Sequence, residues 1–197
     1  MKNFWDERYG GEEYVYGTEP NLWYAGQLKN LKPGTALFIA EGEGRNAVHA
    51  ARLGWRVSAF DYSQSGRNKA LALARSAGVN IDYAVADAAG YIIPSNSFDL
   101  MVMVYTHFPR AVREQLFPKM IAGLKPGGRI IAEVFSTKQF GRGSGGPRSA
   151  ELMYTPEQLR DYFGALHIEL LEEAVIHLSE GPHHEGEADV IRMVAVK

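Results

Sequence analysis

The segment Ala40-Glu41-Gly42-Glu43-Gly44-Arg45-Asn46-Ala47 sets two glycines among acids, between a short apolar run and a helix-compatible stretch. Glycine lets the backbone come close to a ligand because no Cβ intervenes. A helix that begins beyond such a turn offers free N–H donors. Asp61 closes the second apolar run, 19 residues after Gly42. An acid at that strand end can bind the two hydroxyls of a ribose. Turn and acid together point to a cofactor of adenosine type, the plainer alternative being a tight strand-to-helix turn with an incidental acid.

Two ligand classes share this layout. Gly42-x-Gly44-x-x-Ala47 also satisfies the loose dinucleotide fingerprint, whose third position admits alanine. Charge separates the two. Glu41 and Glu43 flank Gly42, where a pyrophosphate would sit, and carboxylates beside phosphates repel in a partly dry cleft. S-adenosylmethionine carries an ammonium and a sulfonium and no phosphate, so Glu41 favours it. A Tyr-x-x-x-Lys pair of the short-chain reductase kind is also missing from the chain.

These residues need a scaffold, and the apolar pattern supplies one. Short runs at residues 35–40, 56–60, 81–85, 98–104 and 129–135 alternate with helical stretches at 45–53, 64–77 and 110–124. This repetition predicts an α/β fold, a doubly wound, mainly parallel sheet with helices on both faces. Pro118 is expected to interrupt the third helix, and residues 125–128 (KPGG) to form a tight turn. Thr155 and Pro156 read as N-cap and first position of a helix over 155–163. Residues 167–179 and 188–197 read as strands joined by 181–187, too close for a crossover and therefore antiparallel. Residues 136–150 hold four glycines and a proline, a loop long enough to be functional or mobile.

Composition narrows the classes further. A chain of 197 residues, 46% hydrophobic and 22% charged, suits one folded domain, expected over 1–197. With 21 basic and 23 acidic residues the net charge is −2, which favours neither nucleic acid nor a membrane surface as partner. There are no cysteines, which removes disulfides, thiolate nucleophiles and Cys-ligated metals. No metal site is expected, since His183 and His184, being adjacent, point apart on an extended chain. The N-terminus lacks a signal-type apolar core, and no run approaches the roughly 20 apolar residues of a membrane span, so the expected location is cytoplasmic.

The chain resembles the class I S-adenosylmethionine-dependent methyltransferases, with Glu41-Gly42-Glu43-Gly44 as the glycine motif and Asp61 as the ribose acid. More narrowly it is similar to the small bacterial tellurite-resistance and thiopurine-methyltransferase-like group. That likeness rests on Phe4-Trp5-Asp6-Glu7-Arg8-Tyr9, Tyr16-Gly17-Thr18-Glu19-Pro20-Asn21, Leu124-Lys125-Pro126-Gly127-Gly128, Gly143-Ser144-Gly145-Gly146-Pro147 and Glu180-Gly181 followed by His184-x-Gly186. The resemblance implies a seven-stranded sheet ending in the antiparallel hairpin, with residues 1–31 as a cap over the cleft and 137–152 as a glycine-rich loop. It implies S-adenosyl-L-methionine as cofactor, held by Tyr16, Glu41, Gly42, Gly44, Asn46, Asp61, Tyr62, Asp87, Ala88 and Tyr105. Glu41 would take the methionine amino group, Asp61 the ribose hydroxyls, and Tyr62 the adenine face. Asp87 would face the adenine amino group or serve as a helix N-cap. Trp5 is expected in a surface helix packed on the core.

His107, at the end of the fourth run, would line the pocket or be a satisfied structural histidine. Arg142, Arg148 and His184 are the candidates for the acceptor side, where guanidinium groups suit an anion and mobility suits a lid. The expected reaction is methyl transfer to a small, soft acceptor such as a thiol or a tellurite or selenite oxyanion, by a monomer or homodimer. A soft anion needs little base, whereas an oxygen or nitrogen acceptor would call on His107 or His184. The alternatives are an NAD(P)-dependent oxidoreductase on the same sheet and a non-catalytic S-adenosylmethionine-binding protein.

Overall fold

Alternation along β1 (Thr35–Ile39) explains why helices form on both sides of the sheet. Ala36 and Phe38 face one side, Leu37 and Ile39 the other, and all four are buried. A strand apolar on both faces has to be covered on both. In the computed structural model, which describes residues 2–197, α3 (Arg45–Arg52) and α4 (Gln64–Ser76) cover the first side through Ala47, Ala50, Ala70 and Ala74. On the second side, α5 (Arg110–Gly123) contributes Leu116, Phe117 and Met120, and α6 (Pro156–Phe163) contributes Leu159 and Phe163. Two short helices, α1 (Lys2–Arg8) and α2 (Leu22–Leu28), precede the sheet.

The remaining strands are β2 (Arg56–Asp61), β3 (Asp82–Val85), β4 (Phe98–Val104), β5 (Leu124–Phe135), β6 (His167–Ser179) and β7 (Glu185–Val196). Their order is β3-β2-β1-β4-β5-β7-β6. The first five run parallel, and β7 is antiparallel to both β5 and β6. This is the expected doubly wound, seven-stranded sheet with a C-terminal antiparallel hairpin.

Three local expectations need correction. Residues 125–128 belong to β5 instead of forming a separate turn, because Leu124 pairs with Phe98 before the register shifts to Leu100 opposite Arg129. Helix α5 runs unbroken through Pro118, since one lost N–H bond is outweighed by the buried Leu116, Phe117 and Met120 around it. Strand β7 begins at Glu185, earlier than expected, because Glu185 to Glu187 already pair with Ser179 to His177. The helix over residues 156–163 does start at Thr155 in a complete capping box with Gln158. Among the described residues no helix is long and apolar enough to cross a membrane.

One buried acid ties the N-terminal segment to the sheet. Glu133 on β5 is 1% exposed and accepts hydrogen bonds from Asn21 Nδ2 (2.6 Å), the Tyr105 hydroxyl (3.0 Å) and Arg192 Nε (2.7 Å). Asn21 is itself the N-cap of α2, accepting from Tyr24 N at 2.9 Å. Removing one member of a buried charged pair typically costs about 3–5 kcal/mol, because the other stays buried without a partner. Arg192→Ala, which leaves the buried Glu133 without its cation, should therefore lower unfolding stability by about 3 kcal/mol or more in urea titration, whereas removing Glu133 leaves behind an arginine that is part-exposed and can be hydrated.

Candidate functional site

A cavity of about 430 Å³ opens where β1, β2 and β4 end, at the carboxyl edge of the sheet. Its floor is the glycine turn, where Glu41 and Asp61 both stand in the lining. Glu41 Oε1 accepts from the backbone N–H groups of Asn46 (2.9 Å) and Ala47 (2.8 Å), the first turn of α3. Asp61 Oδ2 accepts from Gly42 N (3.1 Å), and Oδ1 from Ser63 N (2.8 Å). Three backbone donors of this turn, on Gly42, Asn46 and Ala47, are thus already engaged by the protein's own carboxylates.

Among the described residues neither acid has a cationic side chain within ion-pair distance. Burial raises Glu41 to about 7 against the backbone bond from Ala47, which lowers it. Burial likewise raises Asp61 to about 6 against the backbone bonds from Ser63 and Gly42. Such a pair has the electrostatics to receive a cation.

Glu43 behaves differently from the expectation of two carboxylates turned on a ligand at the turn. Its Oε1 is 2.8 Å from Lys69 Nζ, and its Oε2 accepts from Val15 N at 2.9 Å. Its charge is balanced, and it anchors the residues leading to Tyr16. The two glycines are tightly packed. Gly42 and Gly44 have φ of +64° and +89°, and a Cβ there would meet Tyr9 Oη at 2.7 Å and Ala70 Cβ at 2.5 Å. Their missing Cβ atoms let the N-terminal segment pack on the turn and α3 on α4.

The other cofactor candidates separate into those that line the cavity and one that does not. Tyr16, Asn46, Tyr62, Ala88 and Tyr105 all line it. Asn46 Oδ1 also accepts from Asn21 N at 2.9 Å, holding the N-terminal segment down. Tyr62 is pushed up to about 12, by burial first and then by its hydrogen bond to Asp87. Asp87 is exposed and outside the lining, and its Oδ1 accepts from Ala89 N at 2.9 Å. That contact closes a turn over residues 87–90, and no helix starts there for Asp87 to cap. Tyr105 stands at φ +52° with its hydroxyl on Glu133 and its ring stacked on Phe135 at 4.9 Å.

On the acceptor side, His107, Arg148 and His184 line the cavity and Arg142 does not. Arg142 Nε is taken by Asp189, with Glu187 beyond it, so its charge fastens the glycine-rich loop to β7. Gln139 adds to that anchoring, donating to Ser144 Oγ and accepting from Asp189 N. The lid-like loop is therefore pinned at residues 139, 142 and 144. His107 donates from Nδ1 to Leu152 O at 3.0 Å and is pushed down to about 3 by burial, so it stays neutral.

His184 packs between Tyr16 (ring centroids 4.4 Å apart) and Tyr105 (4.7 Å), with Nδ1 donating to Glu180 at 3.2 Å. Glu180 is in turn held by Arg45 at 2.8 Å. Burial works to raise Glu180, but the His184 and Arg45 contacts outweigh it and hold it below its ordinary value. Trp5, expected on a surface helix, instead lines the cavity and stacks on Tyr9 at 5.3 Å. Sequence reading also missed Arg8, which lines the cavity, and the role of Arg45; both lie inside the quoted motifs, but nothing in the pattern assigns them a partner.

Residues 36–128, a little under half of the chain, match the family described as Methyltransferase domain. No curated protein matches. Among solved structures, one described under "Conversion of a Disulfide Bond into a Thioacetal Group during Echinomycin Biosynthesis" superposes with a TM-score of 0.79 at 20% identity, covering 100% of this chain and 93% of that one. TehB from Haemophilus influenzae gives 0.75 at 15%, covering 100% of this chain and 66% of that one. The 1,6-didemethyltoxoflavin-N1-methyltransferase of Burkholderia thailandensis, with S-adenosylhomocysteine bound, gives 0.66 at 19%, covering 89% and 77%.

The raised acids set the pH behaviour of the ligand-free protein. Glu41 and Asp61 lie above their ordinary values of 4.5 and 3.8, so they favour the folded state at low pH and that contribution is lost as pH climbs through 6 and 7. His107, lowered from 6.5, acts oppositely, its contribution being present above 6.5 and lost towards pH 3. Glu41→Gln should flatten the decline in melting temperature between about pH 5 and pH 8, measured by differential scanning fluorimetry, while leaving the acid limb set by His107 in place. The chain has the Rossmann-like fold of these solved methyltransferases, with a match to the family described as Methyltransferase domain over residues 36–128.

Proposed function

We propose that this chain transfers a methyl group from S-adenosyl-L-methionine to a small, soft nucleophile, a thiol or a tellurite or selenite oxyanion. The observation that carries the reading is the floor of the cavity, where two buried acids lack a cationic partner while the start of α3 is stoppered by Glu41. A cationic nucleoside suits that floor, and a diphosphate does not. When bound, the cofactor supplies an electrophilic methyl group on a sulfonium.

In this reading Asp61 takes the ribose hydroxyls, Glu41 stands towards the amino group, and Tyr62 and Ala88 flank the adenine. In the same reading, the buried rings of Phe108 and Phe135 face the acceptor side, where desolvation makes a soft anion more reactive. His107 is held neutral with its Nδ1 proton committed, so it serves the lining rather than proton transfer. For an acceptor that carries a proton, His184 is the base, since Glu180 fixes Nδ1 as the protonated nitrogen and leaves Nε2 to accept. A cavity of about 430 Å³ for nucleoside and acceptor together favours a small acceptor. The narrower likeness to tellurite-resistance and thiopurine-methyltransferase-like proteins is consistent with this choice, and rests on the N-terminal and C-terminal motifs.

Isothermal titration with S-adenosylmethionine tests the first half. The wild type should bind, and Asp61→Ala should weaken binding at least tenfold, roughly the worth of hydrogen bonds to a charged group. Unchanged binding by Asp61→Ala, or tight binding of NADH in its place, contradicts the reading. Methyl-donor turnover with thiols, tellurite, selenite and small amines tests the second half, and activity on a protein or RNA alone would overturn it.

A further inference from the structure

The two ring nitrogens of His184 stand in different settings. Nδ1 donates to Glu180 Oε2 at 3.2 Å, and among the described residues Nε2 has no partner. Nor is Nε2 sealed, because the buried side-chain nitrogens and oxygens without a partner there are Thr106 Oγ1 and Tyr154 Oη alone. His184 lines the cavity, so Nε2 is the nitrogen open to it. The Glu180 oxygen that receives Nδ1 also accepts from Arg45 Nη2 at 2.8 Å. The Arg45 side chain is 9% exposed, and its Nη1 is spent on the carbonyls of Tyr16 and Glu19. A guanidinium keeps its charge at every working pH, so it holds Glu180 as a carboxylate. A carboxylate can only accept, which puts the histidine proton on Nδ1 and leaves a lone pair on Nε2. Arg45 directly follows Gly44, so a side chain rooted in the glycine turn decides what His184 offers the cavity.

We propose that Arg45 and Glu180 are positioning residues for His184, and that the base they prepare serves an acceptor bearing a proton, a neutral thiol and not an oxyanion. The proposal rests on the methyl-donor reading and narrows its acceptor. An oxyanion already carries the charge and lone pair that attack requires, whereas an alkyl thiol, like cysteine, is mostly protonated at pH 7. Nε2 takes the proton of the S–H group, and the electron pair left on that sulfur forms the bond to the methyl carbon. The bond from that carbon to the sulfonium breaks in the same displacement, its pair staying on the departing thioether. The imidazolium then passes its proton to solvent. Glu180 and His183 of the hairpin, Arg45 of α3, Tyr16 of the N-terminal segment, and Tyr105 and His107 after β4 face His184. Among them Glu180 favours the imidazolium and Arg45 opposes it.

The test begins with the ligand-free full chain, where long-range proton–nitrogen NMR reads the tautomer and titration of each histidine. The His184 signal is the one lost in His184→Gln, and thermal melting confirms that each variant folds. The wild type should carry its proton on Nδ1. Arg45→Met should raise the His184 pKa and Glu180→Gln should lower it, each by about one pH unit or more, with Arg45→Lys close to the wild type. A proton on Nε2 in the wild type, or a His184 pKa that Glu180→Gln leaves unmoved or raises, overturns the positioning roles whatever the cofactor. Turnover of S-adenosylmethionine with 2-mercaptoethanol and with selenite tests the acceptor. With the thiol, Glu180→Gln should lower kcat about tenfold or more near pH 7, a part of the roughly 10²- to 10⁴-fold a general base supplies. The deficit should close towards about pH 10, where the thiol ionises unaided. A deficit that does not change with pH, an equal deficit with selenite, or turnover of selenite alone overturns the proposal. A wild type that binds S-adenosylmethionine and turns over neither probe overturns the thiol acceptor. One that does not bind it ends the methyl-donor reading, and the NMR result still decides the positioning.

Discussion

The arrangement of the site depends on one local contact, the carboxylate of Glu41 seated on the N–H groups of the second and third residues of α3. A helix start is a natural anion site, and here the protein fills it with its own side chain. Two consequences follow. A ligand phosphate would have to displace Glu41 from two of those donors, and the acid itself is drawn into the floor, where burial raises it to about 7. Asp61 repeats the arrangement from the next strand, spending its oxygens on Gly42 N and Ser63 N. The turn therefore presents negative charge, or protons in its stead, to whatever enters.

Around that floor the structure builds its roof from distant parts of the sequence. The N-terminal segment is held by Asn21 on Glu133 and Asn46, and by Glu43 on Val15. The C-terminal hairpin reaches over from the other side, where Arg45, Glu180 and His184 form one connected chain. Arg45 directly follows the glycine turn, so the residue that starts α3 also fixes the roof. Floor and roof are mechanically one unit.

Much of this was legible in the residue order. The apolar runs located the five parallel strands, and those buried on both faces are apolar throughout, as β4 with Leu100 to Met103 shows. The Thr155-Pro156 start of α6 was readable because capping chemistry is local. Tertiary partners were not. Nothing near Glu43 announces Lys69, nothing near Arg142 announces Asp189, and nothing near Glu133 announces Asn21 from more than a hundred residues away. The charge argument at the turn survives for a different reason than the sequence suggested. Glu43 is neutralised, and what disfavours a diphosphate is the occupation of its donors by Glu41.

Proton release on binding is the most direct measurement of this account. Isothermal titration of S-adenosylmethionine near pH 6.5, repeated in buffers of different ionisation enthalpy, counts the protons exchanged. The account predicts that a cation entering beside Glu41 and Asp61 lowers both acids and expels a fraction of a proton to about one proton per site, with less released by Glu41→Gln. Binding of S-adenosylmethionine with no proton exchange, or with proton uptake, would contradict it.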